Sequence, residues 1–261
     1  VKRTRIVTPG ETVNPEIYEK ALREGLKLEF PKKSTPKAKK NFSPSKLGFG
    51  AGQCPRFWHY AFGGDIEHTD NGDHKSQLKR ILGTAAHDTI EKLILSTITD
   101  EKAGKWEFEK KLVNNDPPIF GYVDIYDKEN NIPVELKNVD SSKFGPAKEL
   151  NKADSSHVIQ TLMYMKMLDA TQGVLLYVDR TTLDTHAFSI VMNDYHKDYI
   201  EKLFMWMRRV KASYDNGEFP ERPAEAVEGK FPCNFCSVQK HCWSDNQPTT
   251  NKIVMARSVG Y

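Results

Sequence analysis

Hydrophobic and polar positions alternate along this chain in patterns that divide it into elements. Between Lys75 and Thr97, apolar residues recur at Leu78, Ile81, Leu82, Ala85, Ile90, Leu93 and Ile94, the spacing of one helical face. Three β-like runs follow, Trp106 to Val113, Ile119 to Tyr126 and Ile132 to Asn138, with Asn-Asp-Pro-Pro and Glu-Asn-Asn between them as turn formers. They predict a three-stranded meander. Ser155 to Leu168 returns to a helical pattern, Gly173 to Asp179 is a continuous apolar strand, His186 to Val191 is a further strand, and Asp194 to Tyr214 is a long helix. Upstream, Ser43-Pro44 has the form of a helix start, a hydroxyl N-cap followed by proline, and a helix carrying Cys-Pro-Arg-Phe-Trp-His-Tyr is expected to follow, with Gly48, Gly50 and Gly52 interrupting the stretch. The order α, β-β-β, α, β, β, α predicts a mixed α/β fold, a sheet with helices packed on it.

After Phe219 the periodicity gives way to prolines, a glycine and three cysteines, which predicts a small domain stapled by something other than a hydrophobic core. The expected organisation is a basic N-terminal arm over 1–42, a core over 43–218 that includes the segment with Cys54, a cysteine segment over 219–247 and a tail over 248–261.

Composition narrows the class. A chain of 261 residues suits one large domain with a small appendage, and a mean hydropathy of -0.61 with 28% charged residues indicates a heavily solvated surface. The longest apolar run, Val174 to Val178, is far short of the roughly 20 residues that span a bilayer, and residues 1–30 lack the apolar stretch of a signal peptide. No membrane association and a cytoplasmic location, in a prokaryote or a phage-infected host cell, are therefore expected. The net charge of +3 hides an asymmetry: residues 1–46 hold 12 Lys and Arg against 5 acidic residues. The densest part, Pro31 to Lys46, reads as an extended, mobile linker able to lie along phosphates, which makes Lys37, Lys39 and Lys40 candidate DNA contacts. A solubility tail is the plainer alternative.

The strand pair Gly121-Tyr-Val-Asp-Ile-Tyr and Val134-Glu-Leu-Lys-Asn carries the central chemistry. Side chains alternate along a strand, so Glu135 and Lys137 share one face. If the two strands pair as a hairpin about Lys128 to Asn131, Asp124 and Glu135 meet on the polar face with Lys137 beside them. Two carboxylates there suit a hard cation, Mg²⁺ or Mn²⁺, able to polarise a phosphodiester, and a lysine suits the charge that develops on phosphate. A solvent-facing charge ladder is the ordinary alternative. On the upstream helix His87 is followed one turn later by Glu91. On the downstream helix His157, Gln160 and Tyr164 form a polar stripe, which could equally be the wet side of an amphipathic helix.

Gly83-x-x-x-His87, Gly121-Tyr-Val-Asp124, Glu135-Leu-Lys137 and Gln160-x-x-x-Tyr164, in this order and spacing, resemble the RecB-like nucleases of the PD-(D/E)XK superfamily over roughly Ser43 to Trp243. The resemblance implies a restriction-endonuclease-like core in which His87, Asp124, Glu135 and the Leu136 carbonyl bind metal and Lys137 assists catalysis. Gln160 and Tyr164 would orient the lysine or DNA. Asn138 departs from the Thr or Ser that often follows the lysine in that family.

All four cysteines fall into one pattern, Cys54 and then Cys233-x-x-Cys236-x5-Cys242. Four thiolates suit an Fe-S cluster or a structural zinc, and one distant ligand with a tight trio favours iron over the two local pairs common for zinc. In the zinc alternative His59 and His241 could substitute. Cys-Pro-Arg with the C-terminal trio also resembles the iron-sulfur branch of these nucleases, which includes CRISPR-associated adaptation exonucleases, AddB-type nuclease domains and phage relatives. That resemblance implies a structural 4Fe-4S cluster pinning the chain ends. Arg56, with Phe57, Trp58 and Tyr60, is a further candidate DNA contact. The expected activity is a metal-dependent exonuclease on single-stranded DNA or DNA ends. An endonuclease or flap nuclease with the same site, or a nuclease-inactive DNA-binding subunit, are the alternatives. No ATPase loop is present, so a helicase, recombination or CRISPR-adaptation partner is compatible with this reading.

Overall fold

The computed structural model describes residues 16–29, 38–64, 66, 74–97 and 104–259. Its centre is a five-stranded sheet of β1 (Trp106–Asn114), β2 (Ile119–Asp127), β3 (Ile132–Val139), β4 (Gln172–Asp179) and β5 (Thr185–Val191), adjacent in that order. The first three strands form the antiparallel meander that their turn residues predict, with Ile125 opposite Val134. β4 runs parallel to β3, placing Lys137 beside Tyr177, and β5 returns antiparallel. A parallel neighbour requires a crossover, and two helices supply it, α5 (Ser141–Glu149) and α6 (Ser155–Leu168). α5 escapes the sequence pattern because Gly145 and Pro146 interrupt its short apolar face.

α6 lies between the sheet and α7 (Asp194–Asp215), and every residue from Val158 to Met165 is buried. Leu162, Met163 and Met165 are fully enclosed with Leu175 of β4 and Ile200, Leu203 and Met207 of α7. A helix covered on both sides shows no amphipathic stripe, so the stripe of Gln160 and Tyr164 is not a wet surface. α4 (His74–Ser96) contacts β3 and an N-terminal helix α1 (Glu16–Glu29). Among the described residues, no helix is long and apolar enough to cross a membrane.

Three expectations change. The helix start at Ser43 and the helix expected to follow are separate: α2 (Pro44–Leu47) stops at Gly48, a 3-10 turn spans Gly50–Gln53, and α3 (Pro55–Gly63) starts afresh with Cys54 at its N-cap and Pro55 in its first turn. The basic arm does not extend to residue 42. Residues 1–15 and 30–37 lie outside the described set, α1 is helical, and Phe42 is fully buried in a bridge to Ile119, held between Trp58 and Phe62. The end of the expected mobile linker is thus part of the core. The segment after Phe219, expected to be held by something other than a hydrophobic core, also packs apolar residues into the interior. Phe219, Val238, Ile253, Met255 and Ala256 are all buried, and Trp206 of α7 donates to the Val254 carbonyl at 2.7 Å. The expected tail contributes to the main core through these residues.

Candidate active site

Two breaks in the strand ladders expose the chemistry. The β1–β2 pairing skips Glu109 and Asp124, and Glu109 takes the left-handed φ of 48° there. On the other side, β2–β3 pairing ends at Ile125 and Val134, one step short of Asp124 and Glu135. Released from the ladder, Asp124 accepts the Leu136 N–H at 2.6 Å. The carboxylates that the hairpin argument pairs therefore do sit at neighbouring positions, in a nearly dry pocket: Glu135 is 2% exposed and Asp124 9%.

Glu135 Oε1 accepts Gln160 Nε2 at 2.7 Å and the Lys137 ammonium, while its buried Oε2 has no partner. Gln160 also donates to the Tyr164 hydroxyl at 3.3 Å. That tyrosine is seated against Gly121, where an added Cβ would lie 3.0 Å from its ring and 3.2 Å from Pro44. Glycine there lets the helix approach the strand closely enough for Gln160 to reach Glu135.

His87, Glu91 and Asp124 bring one ligand atom each within 4.8 Å of one another, the one such group among the described residues. Burial lowers the His87 pKa, with Lys137 adding to it against Asp124, so the imidazole stays in its neutral, ligating form. Burial raises Asp124 against the pull of the Leu136 N–H and of Lys137. Glu135 is pushed up to about 8 by burial, opposed by Lys137. Glu91 is pushed up to about 7 by burial and by Glu109, with which it shares a hydrogen bond. Crowded carboxylates whose proton affinity is raised by burial and by one another form a site that a cation would stabilise.

Of the expected ligands, His87 and Asp124 converge, and Glu91 joins them as a third group; Glu135 engages Gln160 and Lys137 through Oε1. The contact made by Leu136 is through its N–H. The position of Glu91 one turn after His87 was a visible signal for its role. Glu109 gave none, because only the register sets it opposite Asp124.

The four cysteines, none in a disulfide, line one cavity together with Arg56, Phe57, Arg222 and Trp243. Burial pushes Cys54 and Cys236 up to about 12, with the neighbouring thiols adding to the shift. His59 and His241 do not line this cavity; His59 packs against Phe219, and His241 against Tyr60.

Arg56 is not available to DNA. It is 2% exposed, lies over the Phe219 ring at 4.2 Å, donates to the Tyr60 hydroxyl and pairs with Asp245 at 3.9 Å. Phe57, Trp58 and Tyr60 are likewise buried. Lys39 is half-buried, its N–H bonded to Ala61, and Lys40 is exposed; Lys37 lies outside the described residues.

No curated protein matches the chain in sequence. Among solved structures it is similar to SSO0001, at 17% identity over 87% of this chain and 96% of that one, with a TM-score of 0.46. It is also similar to an alkaline exonuclease from Laribacter hongkongensis, at 10% identity over 67% of this chain and 90% of that one, with a TM-score of 0.51. Residues 119–243 match the family model of the PD-(D/E)XK nuclease superfamily, a span that holds Asp124, Glu135, Lys137, Gln160, Tyr164 and the cysteine trio but not His87, Glu91 or Cys54. Over residues 119–243 the chain is thus similar to the PD-(D/E)XK nuclease superfamily, and its fold is a five-stranded mixed sheet flanked by helices.

Proposed function

We propose that this protein is a divalent-metal-dependent deoxyribonuclease that acts as an exonuclease on single-stranded DNA or DNA ends. The observation that carries the reading is the convergence of His87 and Glu91 of α4 with Asp124, beside the Glu135–Lys137 pair, where Asp124, Glu135 and Lys137 lie in the span similar to the nuclease superfamily. Those residues fit a cation: the imidazole is neutral, and Glu91 and Glu135 each keep a buried oxygen without a partner. His87, Glu91 and Asp124 would hold Mg²⁺ or Mn²⁺, with Glu135 completing the site through Oε2. A cation bound there supplies a polarised phosphodiester and a water acidic enough to attack it at neutral pH.

The protein's own groups do the rest. Lys137 presents a positive donor to the non-bridging oxygens as negative charge accumulates on phosphate. Gln160 fixes the Glu135 carboxylate, and Tyr164 fixes Gln160, so that Lys137 keeps its place. The exonuclease direction follows the sequence resemblance, and the alkaline exonuclease shares the fold. Degradation of an end-labelled strand in Mg²⁺ or Mn²⁺, and none in EDTA, is the expected result; undiminished degradation in EDTA would overturn the reading.

We propose further that Cys54, Cys233, Cys236 and Cys242 hold a 4Fe-4S cluster. Supporting this, the four thiols line one cavity, one from the start of the core and a tight trio from the C-terminal segment, with the Arg222 charge beside Cys233. Protein purified without oxygen should be brown and contain iron. Stoichiometric zinc without iron would refute the cluster and leave the nuclease reading standing.

A further inference from the structure

The sheet face that carries the candidate site continues into a groove. Glu135, Lys137 and Val139 alternate onto one face of β3, and Val139 forms part of the groove wall. Tyr177, the register partner of Lys137 on β4, and Phe188 of β5 also line it. α5 and the first turn of α6 form the opposite side, enclosing about 770 Å³. On α6, His157 lies one turn before Gln160, so a single helix face passes from the groove to Glu135.

His157 is set up as a neutral donor. The Asp154 N–H donates to the Tyr177 hydroxyl at 3.0 Å, and that hydroxyl lies 2.7 Å from His157 Nδ1. Tyr177 is 2% exposed, and among the described residues the imidazole is the acceptor within reach of its proton. The proton on His157 is thereby assigned to Nε2, which makes no hydrogen bond among the described residues. Burial and the nearby Lys137 hold the pKa of the ring down to about 4, consistent with an uncharged ring.

Charge along the walls favours an anion. Lys143 and Lys152 line the groove, and its one carboxylate, Asp154, is occupied as the α6 N-cap, accepting the Ser156 N–H at 2.9 Å. The volume lies within the ~300–1,000 Å³ of small-molecule sites. It accommodates a nucleotide or two of one strand and no turn of duplex.

We propose that this groove is the subsite for single-stranded DNA adjoining the scissile phosphate, with His157 Nε2–H and the Lys143 ammonium as its phosphate donors. The proposal rests on the nuclease reading above. His157 acts here as a binding and positioning residue, one step removed from the reacting atoms.

The test uses the full chain and a short single-stranded oligodeoxynucleotide with cleavage-resistant phosphorothioate linkages. Affinity is measured by fluorescence anisotropy across a salt series, alongside kcat and KM on a labelled cleavable strand. His157→Ala is expected to weaken binding about ten- to a hundredfold, the loss of one hydrogen bond to a charged group, and to raise KM more than it lowers kcat. His157→Gln, which keeps a donor near the Nε2 position, should recover most of the affinity. Lys143→Ala should flatten the logarithmic salt slope by about 0.7. Wild-type affinity and slope in both alanine variants would overturn the subsite while leaving the nuclease standing. An equal loss in folded His157→Gln and His157→Ala would overturn the donor role. Should His157→Ala unfold, the salt slope of Lys143→Ala decides. A wild-type protein that neither binds nor cleaves the strand would instead overturn the nuclease reading.

Discussion

Replacing Glu135 with Gln should make the metal-free protein more stable at alkaline pH, against the usual expectation for an active-site substitution. Glu135 is 2% exposed, one of its oxygens has no partner, and its pKa is pushed from 4.5 up to about 8. For a raised carboxylate, the folded state holds a proton that the unfolded chain has already released between those two values. Stability is therefore whole below pH 4.5 and falls as pH rises through 8. At ~1.36 kcal/mol per unit the full cost is up to about 5 kcal/mol, a third or more of the ~5–15 kcal/mol that holds a typical domain together. Glutamine keeps the acceptor for Gln160 and Lys137 and removes the ionisation. Urea unfolding in EDTA at pH 5, 6, 7 and 8 checks this through the difference between the two proteins, since other groups titrate alike in both. The difference should be small at pH 5 and several kcal/mol in favour of Glu135→Gln at pH 8. Saturating Mg²⁺ should flatten the wild-type curve by stabilising the charged form. Parallel curves in EDTA would refute the argument that burial dominates at this carboxylate.

Three other outcomes are expected. Asp124→Ala and Lys137→Ala should each lower cleavage by ~10²–10³-fold while the far-UV circular dichroism stays native; retained cleavage in both would remove the site. Glu91→Gln should weaken Mn²⁺ binding by about tenfold or more in titration calorimetry, and unchanged affinity would return the third ligand position to Glu135 alone. Arg56→Ala should destabilise the fold by ~1–3 kcal/mol in thermal unfolding, because the Tyr60 hydroxyl and the Asp245 side chain lose the buried guanidinium while keeping each other, yet should leave the salt dependence of DNA binding unchanged.

Much of the fold was legible in the chain. The meander, the crossover helix and the long helix over Asp194–Asp215 announce themselves through periodicity and turn residues, because those patterns depend on local backbone geometry. Two kinds of feature were not. α5 is short and interrupted by Gly145 and Pro146, so its local preference is weak and tertiary packing of Phe144 settles it. The residues after Phe219 have no periodicity of their own, and only the structure shows Ile253 and Met255 completing the core against α7.

The same division runs through the candidate site. Asp124, Glu135 and Lys137 could be selected from the sequence because strand alternation and a short turn limit where their side chains lie. Gln160 and Tyr164 could be grouped because helical spacing puts them on one side. Which of these groups touch depends on contacts between elements far apart in the chain. The approach of α4 to β3 brings Glu91 to Asp124, and the skipped pair in the β1–β2 ladder sets Glu109 beside them. Enclosure decided Arg56 as well: its sequence neighbours suggest a DNA-facing cation, but Phe219 and Asp245, more than 160 residues later, cover it. The sequence by itself determined the elements and the residue types available for chemistry, since both follow from local geometry. Tertiary structure alone decided ligand partners, burial and proton affinity, because each depends on which distant surfaces exclude water from the same place.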